Sequence, residues 1–347
     1  MHSKASLHCK ASLRVLFAGT PAIAVPSLRT LSEMEQEGEG VILAGVLTNP
    51  DRPRRHGQPE PSDVSAAAIG LDVTRKERGL APIVQIKPEK LDGLARGNVA
   101  ALSPDLLVSF AYGRIFGPRF LALFSLGGIN IHPSLLPRYR GPSPIPALIL
   151  AGEKETGICI QRLAAEMDTG DIIMKDGFTL SGRETTLSLS ETVSERAAFL
   201  LRKLFCNTSR DDDFASAVAS AKAQEGEAVY CHEIKKGDGL IDWNKSAAKI
   251  DAQIRAYTPW PLSFTSRGND TLIILEAEPL ESAAGEAAPP GTVLGVDKNR
   301  GILIQTGDGI LAVSRLQWRT KKAHDWKAFC NGERNITGMR LNSNLSL

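Results

Sequence analysis

Residues 105–110, DLLVSF, set the tightest limit on what this chain can fold into. Their apolar run lacks the alternation that would leave one face polar, so a strand made of them must be covered on both sides. Strands of that kind belong to parallel sheets flanked by helices, and the neighbouring chain supplies both parts. Residues 13–18 and 41–48 read as earlier strands, joined by a helix that begins after Gly19-Thr20-Pro21 and runs to about Gly38. Residues 63–79 read as a helix interrupted near Gly70, 82–86 as a short strand and 91–102 as a weak helix. Beyond them, 128–131, 157–163 and 172–180 read as strands, with helices over 144–152 and 186–205. Strands alternating with helices at this spacing predict an α/β fold built on a doubly wound, mostly parallel sheet. Gly19 lacks the second and third glycines of a dinucleotide fingerprint, so the strand-turn-helix start does not predict an NAD site.

At 347 residues and 42% hydrophobic content, the chain is long enough for a second domain. Residues 207–226 are short of large apolar side chains and contain Asp211-Asp212-Asp213, so 207–228 reads as a linker and 13–206 as the first domain. From residue 229 to 347 the pattern changes. A helix over 245–257 stops at Thr258-Pro259-Trp260-Pro261, and short strands follow at 263–266, 272–278, 292–297, 301–306 and 309–315. Short strands split by glycine and proline predict a small β-barrel, closed by a helix over 321–331 that carries Lys321, Lys322 and Lys327. Residues 1–12 have neither the apolar core of a secretory signal nor the arginines of a transit peptide, and read as a disordered extension. Lys and Arg number 41 against 39 Asp and Glu, so any affinity for nucleic acid must reside in local patches. The five cysteines form no C-x-x-C pair, which points to a reducing cytoplasm without a zinc or disulfide framework. No apolar run approaches a membrane span, and a membrane partner is not expected.

Two stretches carry chemistry. Residues 127–141, GGINIHPSLLPRYRG, begin as an apolar strand that breaks at Pro133, which leaves Asn130 and His132 at the strand's carboxyl end. Open α/β sheets place their sites there. Two positions apart on a strand, Asn130 and His132 point to one face, so an amide donor and a titratable imidazole stand together. Leu135 and Leu136 are apolar residues in a loop beside them, as a pocket wall would have. The second stretch is 167–172, MDTGDI. Taken singly, a strand-end His is more often a hydrogen-bonded structural residue, and an Asp before Thr-Gly is usually a turn former. The basic loop after the second strand, with Arg52, Arg54, Arg55 and His56 among prolines, reads equally as a solvated connection or as a contact to phosphate.

The order Asn130-x-His132-x-Ser134-Leu135-Leu136-Pro137, then Asp168-Thr169-Gly170-Asp171, resembles the signature of the folate-dependent formyltransferases. The resemblance implies that Asn130, His132 and Asp168 are catalytic and that Ser134, Leu135, Leu136 and Pro137 line the folate site. It implies a Rossmann-like first domain and an OB-like barrel after it. Phe17-Ala18-Gly19-Thr20-Pro21, Pro50-Asp51-Arg52-Pro53, Ile241-Asp242-Trp243, Pro259-Trp260-Pro261 and Thr306-Gly307-Asp308-Gly309 resemble the members whose acceptor is methionyl-initiator-tRNA. A formyl group would then pass from 10-formyltetrahydrofolate to that acceptor's α-amine, in a monomer that needs no metal and uses the barrel to hold the tRNA. In those members an arginine after Pro53 contacts the acceptor stem; His56 falls nearest its place here, so Arg54 or Arg55, with Arg52, is expected to take over. Three alternatives remain. Glycinamide ribonucleotide enzymes share the trio without a barrel, amino-sugar nucleotide enzymes sometimes carry a small second domain, and an RNA-binding protein could retain a degenerate enzyme domain.

Overall fold

A computed structural model describes residues 12–53, 57–207, 211–281, 288–333 and 335–343. Strand β1 (Leu13–Gly19) leads into helix α1 (Val25–Gln36), and β2 (Val41–Leu47) returns beside it. Both strands are apolar nearly throughout and buried, as a strand covered on two faces must be. The loop beyond holds a two-residue ladder, β3 (Arg52–Pro53) with β4 (Pro59–Glu60), before α2 (Asp63–Glu77). The expected break near Gly70 does not occur. Gly70 sits within α2 at an exposed position, and the roughly 0.5–1 kcal/mol a helical glycine costs relative to Ala is offset elsewhere on the helix. The Ser62 hydroxyl caps its start by accepting from Ser65 N at 3.1 Å, and buried Arg75 near its end pairs with Glu35.

Strand β5 (Gln85–Ile86), α3 (Gly93–Ala100) and β6 (Leu106–Phe110) follow. A short helix that the sequence pattern did not announce, α4 (Pro118–Leu121), precedes β7 (Gly128–His132). Then come α5 (Pro144–Ala151), β8 (Glu155–Arg162), β9 (Ile172–Thr179), α6 (Thr186–Asn207) and α7 (Asp211–Ala219). Among the described residues the main sheet has seven strands in the order β5-β2-β1-β6-β7-β8-β9. Its pairings are parallel from β5 to β7, and β8 enters antiparallel. The chain winds outward from β1 to β5 and then crosses back to β6, which makes the carboxyl ends of β1 and β6 the switch point. One face is filled by Leu16, Leu47, Leu107 and a line of rings, Tyr112, Phe116, Phe120 and Phe124, whose successive centroids are 5.3, 5.3 and 5.9 Å apart.

The chain forms two compact units that do not follow its order. The first takes the chain to Pro142, Thr156–Phe178 and Ser190–Tyr230; the second takes Ser143–Glu155, Thr179–Leu189 and everything from Cys231. The stretch expected to be a linker is therefore built into the first unit. It contains α7, and Lys222 pairs with Ile172 in an antiparallel bridge. Its low apolar content misled because one aromatic and one amide suffice to order it: Phe214 is buried and stacks on Phe205 at 5.5 Å, and Gln224 binds the carbonyls of Asp168 and Gly170.

In the second unit, α8 (Ala247–Ala256) packs on β11 and β14 of an antiparallel sheet and also meets α5. The sheet runs β10 (Ser263–Arg267), β11 (Asp270–Leu280), β14 (Ile310–Trp318), β13 (Gly301–Gln305) and β12 (Val293–Asp297), with β15 (His324–Asp325) paired to β14. Trp243, Ile250, Ile254, Ile274, Leu311 and Val313 form its core. The closing helix α9 (Trp326–Gly332) starts five residues later than the sequence pattern suggested, because the Asp325 carboxylate caps it by accepting from Ala328 N at 2.8 Å.

Candidate active site

All side chains of the expected trio lie within the first unit. β7 delivers Asn130 and His132, and β8 runs antiparallel beside it with Asn130 opposite Gln161 and His132 opposite Cys159. Asp168 follows β8 in a turn held in the left-handed region at φ +57°. Asp tolerates that conformation better than most residues. Two positions on, a Cβ at Gly170 would stand 1.8 Å from the carbonyl oxygen of Arg162. Only glycine lets the turn pass so close to β8, and this close approach aims Asp168 back at β7.

The carboxylate of Asp168 is the hub. Its Oδ1 accepts from Gln161 Nε2 at 2.9 Å and from Asn130 Nδ2 at 3.3 Å, and it faces His132 Nδ1 at 3.5 Å. Its Oδ2 accepts from the backbone N–H of Gly141 at 2.9 Å. The side chains of His132 and Asp168 are only 5% and 9% exposed. On the far side of the ring, His132 Nε2 lies 2.8 Å from the carbonyl oxygen of Tyr139. A carbonyl only accepts, so Nε2 carries the proton, and in the neutral imidazole Nδ1 turns a lone pair toward Asp168. Burial pushes the His132 pKa below its ordinary value, against the opposing pull of Asp168 and the Tyr139 carbonyl. Asp168 does favour the charged imidazole, but the burial of a ring that is almost entirely dry outweighs it.

The loop after β7 is shaped by its own side chains. Ser134 is fully buried and donates from Oγ to Arg138 O at 2.6 Å, and Leu136 is buried. Leu135 rests on bare backbone: a Cβ added at Gly157 would come within 2.5 Å of its Cδ2. Pro137 accepts through its carbonyl from Val229 N at 3.2 Å. Ser134, Leu136 and Pro137 are thus buried, and Leu135 is partly exposed. Arg52 is exposed on β3 and lines a cavity of about 440 Å³ with Thr20, Asn49, Glu60, Ser62 and Arg114. Arg54 and Arg55, with His56, lie outside the described residues. Among the described residues no group of three His, Cys, Asp or Glu is placed to hold a metal ion, and no helix is long and apolar enough to cross a membrane.

Sequence reasoning missed Gln161, Gln224, Arg140 and the two backbone contacts to Gly141 and Tyr139. Gln161 did leave a signal, an amide that follows the apolar Ile158-Cys159-Ile160 of β8 and stands opposite Asn130. Gln224 left none, since its stretch reads as featureless.

Comparison with known proteins fits this geometry. The family model for formyl transferase matches residues 13–204, and that for the formyl transferase C-terminal domain matches 233–334. A methionyl-tRNA formyltransferase of Treponema denticola is 47% identical over 92% of this chain and 97% of its own. One from Borrelia recurrentis is 34% identical over 94% and 99%. Among solved structures, an N-formyltransferase from Helicobacter canadensis in complex with folinic acid and dTDP-3-aminofucose has a TM-score of 0.58 at 18% identity, covering 87% of this chain and 99% of its own. HypX from Aquifex aeolicus in complex with tetrahydrofolic acid has a TM-score of 0.57 at 17% identity, covering 92% of this chain and 47% of its own. At such identities these two likenesses speak to the fold alone.

Proposed function

The chain belongs to the formyl transferase family, and on that premise we propose that it transfers a formyl group from 10-formyltetrahydrofolate to the α-amino group of methionyl-initiator-tRNA, as translation initiation requires. The carrying observation is the match to methionyl-tRNA formyltransferases over 92% of the chain, which takes in both compact units. The neighbours' complexes with tetrahydrofolic and folinic acid support a folate as donor.

The reaction joins the amine nitrogen to the formyl carbon and breaks the bond from that carbon to N10 of the folate. The amine gives up one proton and N10 gains one. Charge builds on the formyl oxygen meanwhile. Asn130 spends one amide hydrogen on Asp168 and has a second to donate to that oxygen, the task of an oxyanion-hole residue. The neutral imidazole of His132 and the carboxylate of Asp168 face each other with no proton between them, which costs electrostatic energy. The pair therefore takes up the amine's proton, directly or through a water, as a hydrogen bond from Nδ1 to Oδ1, and passes it on to N10. Ser134, Leu135, Leu136 and Pro137 form the folate side of the site. Arg52, with Arg54 and Arg55, grips the acceptor stem through phosphate, and the carboxyl-terminal unit holds the body of the tRNA. The working form is a monomer in the cytoplasm, where charged tRNA is found.

A formyl-transfer assay with charged initiator tRNA, glycinamide ribonucleotide and an amino-sugar nucleotide as competing acceptors tests the reading. The expected product is formylmethionyl-tRNA alone. Transfer to either small acceptor without formylation of the tRNA would overturn it.

A further inference from the structure

The hydrogen bonds behind Asp168 have a direction that can be traced to one arginine. Arg140 can only donate, and its Nε and Nη2 lie 3.0 and 2.7 Å from Gln224 Oε1. That contact fixes which end of the Gln224 amide is oxygen. Its nitrogen must then face the other way, where it donates to the carbonyls of Asp168 and Gly170, each at 2.8 Å, groups that only accept. The same nitrogen lies 3.3 Å from Gln161 Oε1, a weaker contact that shares a hydrogen with one of the two carbonyls, and it suits the orientation in which Gln161 presents its Nε2 to the acceptor Asp168 Oδ1 at 2.9 Å. An amide flip at either glutamine would set donor against donor or acceptor against acceptor at several of these contacts. Gln161 is buried, which makes a mismatched partner there costly.

We infer that Arg140, Gln224 and Gln161 form a positioning line for the reaction. A donor-only guanidinium fixes the polarity of two amides in series, and the last of them holds the Asp168 carboxylate in register with His132 and Asn130. The line also gives residues 222–230 a role. Lys222 pairs with Ile172, Gln224 ties down both ends of the 168–170 turn, and Val229 bonds to Pro137 and Arg140 through the backbone. This strap thus joins the turn that carries Asp168 to the loop that follows His132. Arg140 stacks on the Tyr230 ring at 5.7 Å and donates from Nη1 to its hydroxyl at 3.0 Å, which anchors the outer end. No atom of the line needs to touch a substrate.

The inference rests on the formyl-transfer reading of the site. The test uses the full chain, and wild-type formylation of charged initiator tRNA establishes that reading separately before any variant is compared. Gln161→Glu and Gln224→Glu keep size and shape while removing the donating ends. Gln161→Glu should lower kcat by roughly ten- to hundredfold, the range for a lost hydrogen bond to a charged group, and Gln224→Glu by less. KM for both substrates should stay within about twofold, since neither residue contacts them. The double variant should lose less than the product of the single losses, as members of one network do. A purely structural role would leave the pH profile alone. Instead, a carboxylate at 161 beside Asp168 makes a like-charged pair that retains a proton to higher pH, so the acid limb of kcat should move upward in Gln161→Glu. The groups facing His132 are Asp168 and, across the strand pair, the Cys159 thiol, pushed by burial up to about 11 and so silent in this range. Arg140→Lys, which keeps the charge but loses the fork, should give a loss that Gln224→Glu does not deepen. Full turnover with an unmoved acid limb in both glutamate variants would overturn the inference. Losses confined to KM would do the same. If the glutamate variants melt early, additive losses between Arg140→Lys and Gln161→Asn would refute it.

Discussion

The 128–141 segment and the 49–60 segment both leave carboxyl ends of the same sheet, yet their described side chains differ in burial. The first is locked from several sides. β8 pairs with it, the Asp168 turn bonds to its Gly141, Ser134 closes its own loop, and Val229 crosses its end. In the described residues of the second, Asn49 donates to Thr20 and Tyr112 and Asp51 pairs with Lys87, while a two-residue ladder presents exposed side chains at Arg52, Pro53, Pro59 and Glu60. Groups that must meet a transition state within fractions of an ångström are pinned by neighbours that cannot move independently. A long polyanion presents many phosphates, so a contact to it tolerates looser placement. Chemistry should therefore fail steeply when the first region is altered, and binding should fade gradually when the second is.

The steepest loss is expected at Asn130. Replacing it by Ala should lower kcat by roughly a hundred- to thousandfold, the usual result of removing one oxyanion donor. KM for both substrates should hardly change. His132→Ala and Asp168→Ala should be as severe, and a double variant far from additive, because the two act as one unit on the transferred proton. Steady-state kinetics on the folded variants checks this; near-normal turnover in Asn130→Ala would remove it from the chemistry.

Gly170→Ala probes the pinning itself. The new methyl group would lie 1.8 Å from the Arg162 carbonyl, so the turn must shift and take Asp168 with it. Overpacking of this kind costs about 1–3 kcal/mol of stability, and misplacing the carboxylate by an ångström should reduce kcat by roughly a hundredfold. Gly97 within α3 is the control, since nothing lies within 4 Å of its added Cβ. Gly97→Ala should stabilise the protein by about 0.5–1 kcal/mol at unchanged activity. Urea melts and initial rates on both variants decide whether glycine at 170 is demanded by the site.

Much of the pinned region was legible in the sequence because its cues are local. Pro133 ends β7, the two-residue spacing puts Asn130 and His132 on one face, and the continuous apolar runs announce a doubly wound sheet. What stayed hidden depends on partners distant in sequence. Gln224 looks like linker composition until its amide is seen on the carbonyls of Asp168 and Gly170. The lowered pKa of His132 depends on how deeply the ring is buried, against the pull of Asp168, and that balance has no sequence pattern. Likewise α5 reads as the next helix of the first domain, but its packing against α8 puts it in the second unit. Gly70 misled in the reverse sense, since a local breaker was outweighed by the cap at Ser62 and the pair Arg75 with Glu35.

The burial of His132 gives the pinned region a pH dependence. Its folded pKa lies below the unfolded value of about 6.5. Below that value the unfolded chain takes up a proton here and the folded chain does not, so stability falls as pH drops, by at most about 1.4 kcal/mol per pH unit. The decline from this group ends once the folded imidazole is itself protonated. Urea melts from pH 7.5 to 5 on wild type and His132→Gln isolate the effect, with wild type losing more. A wild type that gained on the variant toward acid would mean that Asp168 holds the ring charged.

The smallest effect is expected at Arg52, on the exposed ladder of the second segment. Its side chain is exposed on a two-residue strand and lines the cavity shared with Asn49 and Arg114. If its task is one phosphate contact, Arg52→Ala should raise KM for methionyl-tRNA by roughly three- to tenfold, the share of a single contact among several, and leave kcat and the folate KM unchanged. The slope of log affinity against log salt should shrink by about one, because one fewer counterion is released. Arg52→Lys separates charge from geometry: it should restore the salt slope, while any part of the KM that depends on the two-pronged guanidinium stays lost. A salt slope identical in wild type and Arg52→Ala would make β3 and β4 a solvated connection, and the graded binding expected of this segment would have to reside elsewhere.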